Sequence, residues 1–216
     1  MCAIFGSTSK ETFVKLYELN KPRGVSASSY LTITPGDWID CVKSDKSFDE
    51  NRLKPAKLYL GHCQAPTTVH QEFNPELAHP FYWNRFYVAH NGIITNVEQL
   101  CEEFFIKFED VKVDSSIIPA LIGYFYHKKI TDPLPDIIKR VAELLKGTFA
   151  CYIVNERDNK VYLIRSGSTL FYDKEGSFSS TKFKNSVPFE EGKVCELIKD
   201  KIITHGSFIC NSPFFI

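Results

Sequence analysis

The apolar positions of this chain change rhythm partway along, and each rhythm predicts its own elements. It begins with a short apolar run, Ala3-Ile4-Phe5-Gly6, the pattern of a buried first strand. Thr8-Ser9-Lys10-Glu11 then has capping-box spacing, and Phe13, Leu16 and Tyr17 fall on one face of the helix it opens. Pro22-Arg23-Gly24 ends that helix. Residues 25–35 read as strand and turn, and the polar residues 43–56 as an exposed loop. Leu58–Cys63 and Phe86–Ala89 are predicted strands, the second running into His90-Asn91-Gly92. A second capping box, Thr95-Asn96-Val97-Glu98, precedes Val97, Leu100, Cys101, Phe104, Phe105 and Phe108 at helical spacing. Ser115 or Ser116 caps a third helix reaching about His127, with Pro119 tolerated in its first turn. Pro135 opens a fourth, with Ile137, Ile138, Val141, Leu144 and Leu145 inward and Gly147 as its stop.

After Gly147 the pattern turns to short strands. Phe149–Val154, Val161–Ile164, Leu170–Tyr172 and Phe178–Ser180 are separated by turn signals at Asp158-Asn159 and Glu175-Gly176, and residues 187–210 read as two more strands. Helices over antiparallel sheets, an α+β class, fit this order better than a βαβ dinucleotide binder. There is no GxGxxG and no phosphate loop.

Composition narrows the function classes. Lys+Arg and Asp+Glu balance at 26 each, which gives no general attraction to nucleic acid or an anionic membrane. No apolar run approaches the roughly 18 to 20 residues that span a bilayer, and the first residues lack the basic and apolar segments of a secretory signal. Seven cysteines without a CxxC pair point to free thiols in a reducing cytoplasm. His62, His70, His79 and His90 show no ligand spacing, so neither metal nor cofactor is expected. The length suits one good-sized domain or two small ones.

Two stretches carry chemistry. Cys2 follows Met1 directly, and a small residue there permits removal of the methionine. Cys2 would then hold a thiol beside its own α-amine. That amine has a reference pKa of about 7.7 to 8.0, so it can take the thiol proton and return it to a leaving group. Cys2 is equally a small apolar residue in a strand. The second stretch is Ala89-His90-Asn91-Gly92-Ile93-Ile94-Thr95-Asn96. Asn-Gly after a strand is a turn signal. An Asn amide beside a glycine N–H can also form a two-donor oxyanion hole.

Together these stretches resemble the class II, N-terminal nucleophile, glutamine amidotransferases. MCAIFG is similar to that family's start and HNGIITN to its HNG-I-N signature. Arg23-Gly24-Val25-Ser26 resembles its RG-x-S segment, Gly61-His62-Cys63-Gln64-Ala65-Pro66-Thr67 its GHTRWAT stretch, and Val113-Asp114-Ser115-Ser116 its SDTE helix start. Lys146–Ala150, Arg165–Ser168 and Phe178–Ser180 echo its later segments, and the matches keep the family's order over most of residues 2–197. The resemblance implies a four-layer αββα sandwich over residues 2–216, with glutamine hydrolysed through a γ-glutamyl thioester on Cys2. It also implies that Asn91 and Gly92 hold the oxyanion, that Asp114 pairs with the substrate ammonium, that Gln64 and Thr67 line the substrate site, and that Arg23 holds the N-terminal region. A helix-terminal surface role for Arg23 and a plain cap for Asp114 remain the alternatives.

The chain departs from the family at Gln64, where an arginine normally grips the substrate carboxylate. An amide lacks the charge and the forked donors, a loss of about 1.5 to 3 kcal/mol of binding. Three consequences are open: weaker glutamine binding, another cation such as Arg85 reaching the site, or a γ-glutamyl amide of a larger compound as substrate. A non-catalytic interaction module is the alternative from another class. No synthase half is visible here, so the expected partner is a separate acceptor subunit that consumes the ammonia. Zero net charge is compatible with homo-oligomers.

Overall fold

Several strands read as nearly unbroken apolar runs because both of their faces are buried. In β1 (Ala3–Ser7) every residue is buried, and the same holds for β2 (Ala27–Ile33). A computed structural model describes residues 2–45, 48–65, 73–111, 113–128 and 131–211. In chain order the remaining elements are α1 (Lys10–Asn20), β3 (Ile39–Ser44), β4 (Leu58–Gln64), β5 (Phe81–Trp83), β6 (Phe86–Ile94), α2 (Val97–Phe104), α3 (Ile117–His127) and α4 (Leu134–Leu144). There follow β7 (Gly147–Asn155), β8 (Lys160–Ser166), β9 (Phe171–Tyr172), β10 (Phe178–Ser179), β11 (Val187–Pro188), β12 (Lys193–Ile198) and β13 (Lys201–Ser207). They form two compact units, one from residues up to Pro80 with 169–189 and 198–201, the other from 81–168, 190–197 and 202 onward.

The first unit is a seven-stranded sheet in the order β11-β9-β10-β1-β4-β2-β3. β1 lies inside it, antiparallel to β4 on one edge and to β10 on the other. Helix α1 lays Phe13, Leu16 and Tyr17 onto Ala3, Phe5, Tyr30, Tyr59 and Cys63. Its cap is Ser9, whose Oγ accepts from the Thr12 N–H, one residue later than the capping-box spacing predicts. The exposed loop expected over 43–56 is corrected: β3 continues to Ser44, and Phe48 and Leu53 are core residues. Phe48 packs its ring 4.0 Å from that of Tyr17.

The second unit is a six-stranded sheet in the order β13-β12-β8-β7-β6-β5. Phe86, Val88, Phe149, Cys151, Ile153, Tyr162 and Ile164 form one core with the apolar faces of α2, α3 and α4. Two expectations about α2 fail. Its last helical residue is Phe104, while Phe105 stands in the left-handed region at φ 54° and is 91% exposed; Phe108 is exposed too. The second capping box does not form either. Asn96 instead donates through Nδ2 to the Leu144 carbonyl and accepts the Lys146 N–H, tying α2 to the end of α4.

Gly147 does not stop α4; it starts β7. There it lies at φ +127°, and a Cβ would strike the Ile93 carbonyl oxygen. Gly92 is its counterpart on β6, at φ +149°, where a Cβ would strike the Thr148 carbonyl oxygen. The β6–β7 ladder keeps an unbroken register through both glycines, in the pairs Gly92↔Phe149 and Ile94↔Gly147. Only glycine takes these backbone angles without strain. Among the described residues, no helix is long and apolar enough to cross a membrane, and no cluster of three His, Cys, Asp or Glu could hold a metal.

Candidate active site

The first unit brings Cys2, Arg23 and Gln64 to one end of its sheet. Cys2 is half-buried, immediately before β1. Ala3 pairs with Cys63, and carrying that register one residue outward sets Cys2 opposite Gln64. Helix α1 ends in the turn Lys21–Arg23, which turns Arg23 back so that its Nε–H donates to the Cys2 carbonyl oxygen at 3.2 Å. Burial pulls the Arg23 guanidinium down from its ordinary value, and the negative charge available on Cys2 opposes that shift. The contact is to backbone, so Arg23 holds the terminus in place rather than sitting free on the surface. Ser180 adds a second hold: its Oγ accepts the Ile4 N–H at 3.0 Å and its own N–H donates to the Ile4 carbonyl at 2.8 Å.

Gln64 ends β4 and donates through Nε2 to the Leu77 carbonyl at 3.2 Å. Its donor end therefore closes the chain segment before β5. Thr67, expected beside it, lies outside the described residues.

The second unit brings together Asn91, Gly92 and Asp114. Asn91 is buried and Gly92 half-buried, both within β6. Asp114 opens a short turn, Asp114–Ser116, ahead of α3. Its Oδ2 accepts the Ile94 N–H at 2.9 Å and its Oδ1 the Ser115 N–H at 2.8 Å. Asp114 thus anchors the chain just after Gly92 as well as capping its own turn. It also lines a polar cleft of about 720 Å³ with Thr95, Val97, Val113 and Lys146.

His90 was expected only as a letter of the HNG motif; the fold gives it definite partners. It is buried, with Nε2 3.2 Å from the Thr148 carbonyl oxygen and Nδ1 2.8 Å from Ser115 Oγ. A bond to that carbonyl requires the proton on Nε2. Burial holds the imidazole below its ordinary pKa, while the Asp114 carboxylate and the Thr148 carbonyl push the other way. In that tautomer Nδ1 accepts from Ser115 Oγ–H, whereas a proton on Nδ1 makes Ser115 Oγ the acceptor and leaves its O–H for Asp114 Oδ1. Ser115 Oγ is also 3.2 Å from Asp114 Oδ1, so Asp114, Ser115, His90 and Thr148 form one chain of contacts. Ser115 was legible beside Asp114; Thr148, 58 residues from His90, carried no local signal.

Arg85 sits in the β5–β6 turn at φ 75°, and about 20 Å of strand separates it from Asn91. Cys63, Cys101, Cys151 and Cys195 are core thiols, while Cys41 and Cys210 are half-buried. Burial pushes Cys41 up to about 11, Cys63 up to about 12, and Cys151 higher still. A larger groove of about 1170 Å³ in the first unit, between Leu16, Leu19, Phe183 and Val187, holds none of the expected site residues.

No family model matches the chain. It is 29% identical over 132 residues to 7-cyano-7-deazaguanine synthase 2 of Sulfurisphaera tokodaii, covering 59% of this chain and 26% of that protein. It is 27% identical over 227 residues to the isomerizing glutamine–fructose-6-phosphate aminotransferase of Wigglesworthia glossinidia brevipalpis, covering 94% of this chain and 36% of that enzyme. The chain therefore spans about a third or less of these relatives' own length. Among solved structures, glutamine PRPP amidotransferase from B. subtilis superposes with a TM-score of 0.72 at 20% identity, over 94% of this chain and 49% of that one. A predicted glutamine amidotransferase from Pseudomonas aeruginosa superposes with a TM-score of 0.56 at 11% identity, over 93% of this chain and 94% of that one. These likenesses show the fold, and the α+β class expected from the sequence is the class observed.

Proposed function

We propose, from the premise that this chain is a class II glutamine amidotransferase domain of the N-terminal nucleophile kind, that it hydrolyses the side-chain amide of glutamine and releases ammonia. Once Met1 is removed, the Cys2 α-amine takes the thiol proton and the sulfur attacks the amide carbon. The Asn91 side-chain amide and the Gly92 N–H receive the oxyanion. The proton passes from the amine to the leaving nitrogen, which departs as ammonia. Water then cleaves the γ-glutamyl thioester and glutamate leaves. Arg23 holds the terminus through the Cys2 carbonyl, and Asp114 offers its carboxylate to the substrate ammonium from the edge of the polar cleft. The ammonia is consumed at an acceptor site outside these residues.

The observation that carries this reading is the Asn91–Gly92 segment, where a positive φ and the close approach of the Thr148 carbonyl admit only glycine and Asp114 braces the next residue but one. The test is ammonia and glutamate release by protein lacking Met1. Turnover of glutamine that vanishes in Cys2→Ala is expected; equal release by the two proteins sinks the proposal.

Gln64 supports a second reading, in which the substrate is a γ-glutamyl amide of a larger compound. One N–H of its amide goes to the Leu77 carbonyl, and the side chain brings no cation for an α-carboxylate. A panel of γ-glutamyl amides separates the two: preference for free glutamine excludes the second.

A further inference from the structure

We infer that His90 is a positioning residue for the oxyanion site, locking the Asn91–Gly92 peptide against β7; this inference rests on the glutaminase reading above. An oxyanion hole works only when its donors are fixed at about 2.7 to 3.1 Å from the developing charge. A displacement of about 1 Å costs on the order of 100-fold in rate. Glycine is the residue least able to fix its own peptide, and Gly92 stands at φ +149°, so the rigidity must come from its neighbours.

Two holds supply it. On one side of Gly92, the His90 Nε2–H donates across to the Thr148 carbonyl at 3.2 Å, on the strand that pairs with β6. On the other side, the Ile94 N–H donates to Asp114 Oδ2 at 2.9 Å. Ser115 joins the two holds, with its Oγ 2.8 Å from His90 Nδ1 and its N–H on Asp114 Oδ1. The Thr148 carbonyl also lies where a Gly92 side chain would be, and His90 Nε2 is 2.9 Å from that same point. Imidazole, carbonyl and glycine Cα therefore meet at one place. A merely space-filling histidine would not need both ring nitrogens committed, one of them to a backbone oxygen packed against Gly92.

The test compares His90→Ala with His90→Gln, whose amide nitrogen can still reach the Thr148 carbonyl, in protein lacking Met1. We expect kcat to fall about 100-fold in His90→Ala with KM changed less than twofold, and His90→Gln to recover at least tenfold of that loss. Cys2 alkylation by iodoacetamide, which forms no oxyanion, should proceed at the wild-type rate in both. Nitrogen-15 NMR of the wild-type imidazole supplies a readout independent of turnover: Nε2 protonated and Nδ1 bare between pH 6 and 8. An active wild type with the opposite tautomer, or an unchanged kcat in His90→Ala, overturns the role of His90. The expected tautomer in a protein that cleaves no γ-glutamyl amide overturns the glutaminase reading instead.

Discussion

At the scale of single residues, each candidate side chain is tied to a backbone group, and two of them also to each other through Ser115. Arg23 grips the Cys2 carbonyl, Asp114 the Ile94 N–H, and His90 the Thr148 carbonyl. His90 has a consequence for stability. Burial keeps it neutral and sets its folded pKa below the unfolded value of about 6.5. Below that pH the unfolded chain binds the proton more readily. The stability contributed by neutral His90 is therefore complete above about pH 6.5 and is lost as pH falls toward the folded value, by at most about 1.4 kcal/mol per pH unit. Urea unfolding at pH 7.5 and pH 5.5 should show a larger loss in wild type than in His90→Gln; parallel losses would contradict it. Cys2, Asn91, Gly92 and Asp114 were legible as candidates because each sits in a short contiguous motif. The partners that hold them were not, because Thr148 and Leu77 act through backbone carbonyls that any residue type carries.

At the scale of elements, four helices and most strands could be read from periodicity, while their ends and caps could not. The helix over Val97–Phe104 shows why. Its apolar spacing continues through Phe105 and Phe108, yet the chain turns left-handed at Phe105 and leaves both rings exposed. Periodicity reports which face a helix would bury; it does not report where tertiary contacts stop the helix. A non-glycine residue at φ 54° costs about 1 kcal/mol that glycine would not. Phe105→Gly should thus raise the unfolding free energy by about 1 kcal/mol in urea, and a lower midpoint would show that the exposed ring has a packing role. The missed β3 is the opposite case. Its polar residues, Asp40, Lys43 and Ser44, hide a strand whose register is set by pairing with β2 over Ser28–Ile33.

At the scale of the whole molecule, the α+β class was legible because strands and helices fall in separate blocks. The strand order was not, since β1 takes its partners from Leu58–Gln64 and Phe178–Ser179, far along the chain. The distribution of thiols follows from the two cores. Burial raises the pKa of the core thiols Cys63, Cys101, Cys151 and Cys195 and of half-buried Cys41, whereas Cys2 lies half-buried at the open end of its sheet. Brief iodoacetamide treatment of native protein at pH 7.5 should therefore modify Cys2 and spare those five, as read by peptide mass spectrometry. Labelling of Cys63 ahead of Cys2 would count against this arrangement.

The interior place of β1 also bears on biosynthesis. Its second edge closes only when Phe178 and Ser179 have been made. At about 5 to 20 residues per second, roughly 9 to 35 s of translation separate the emergence of the two. An aminopeptidase has that interval to trim the first methionine before the strand is enclosed on both sides.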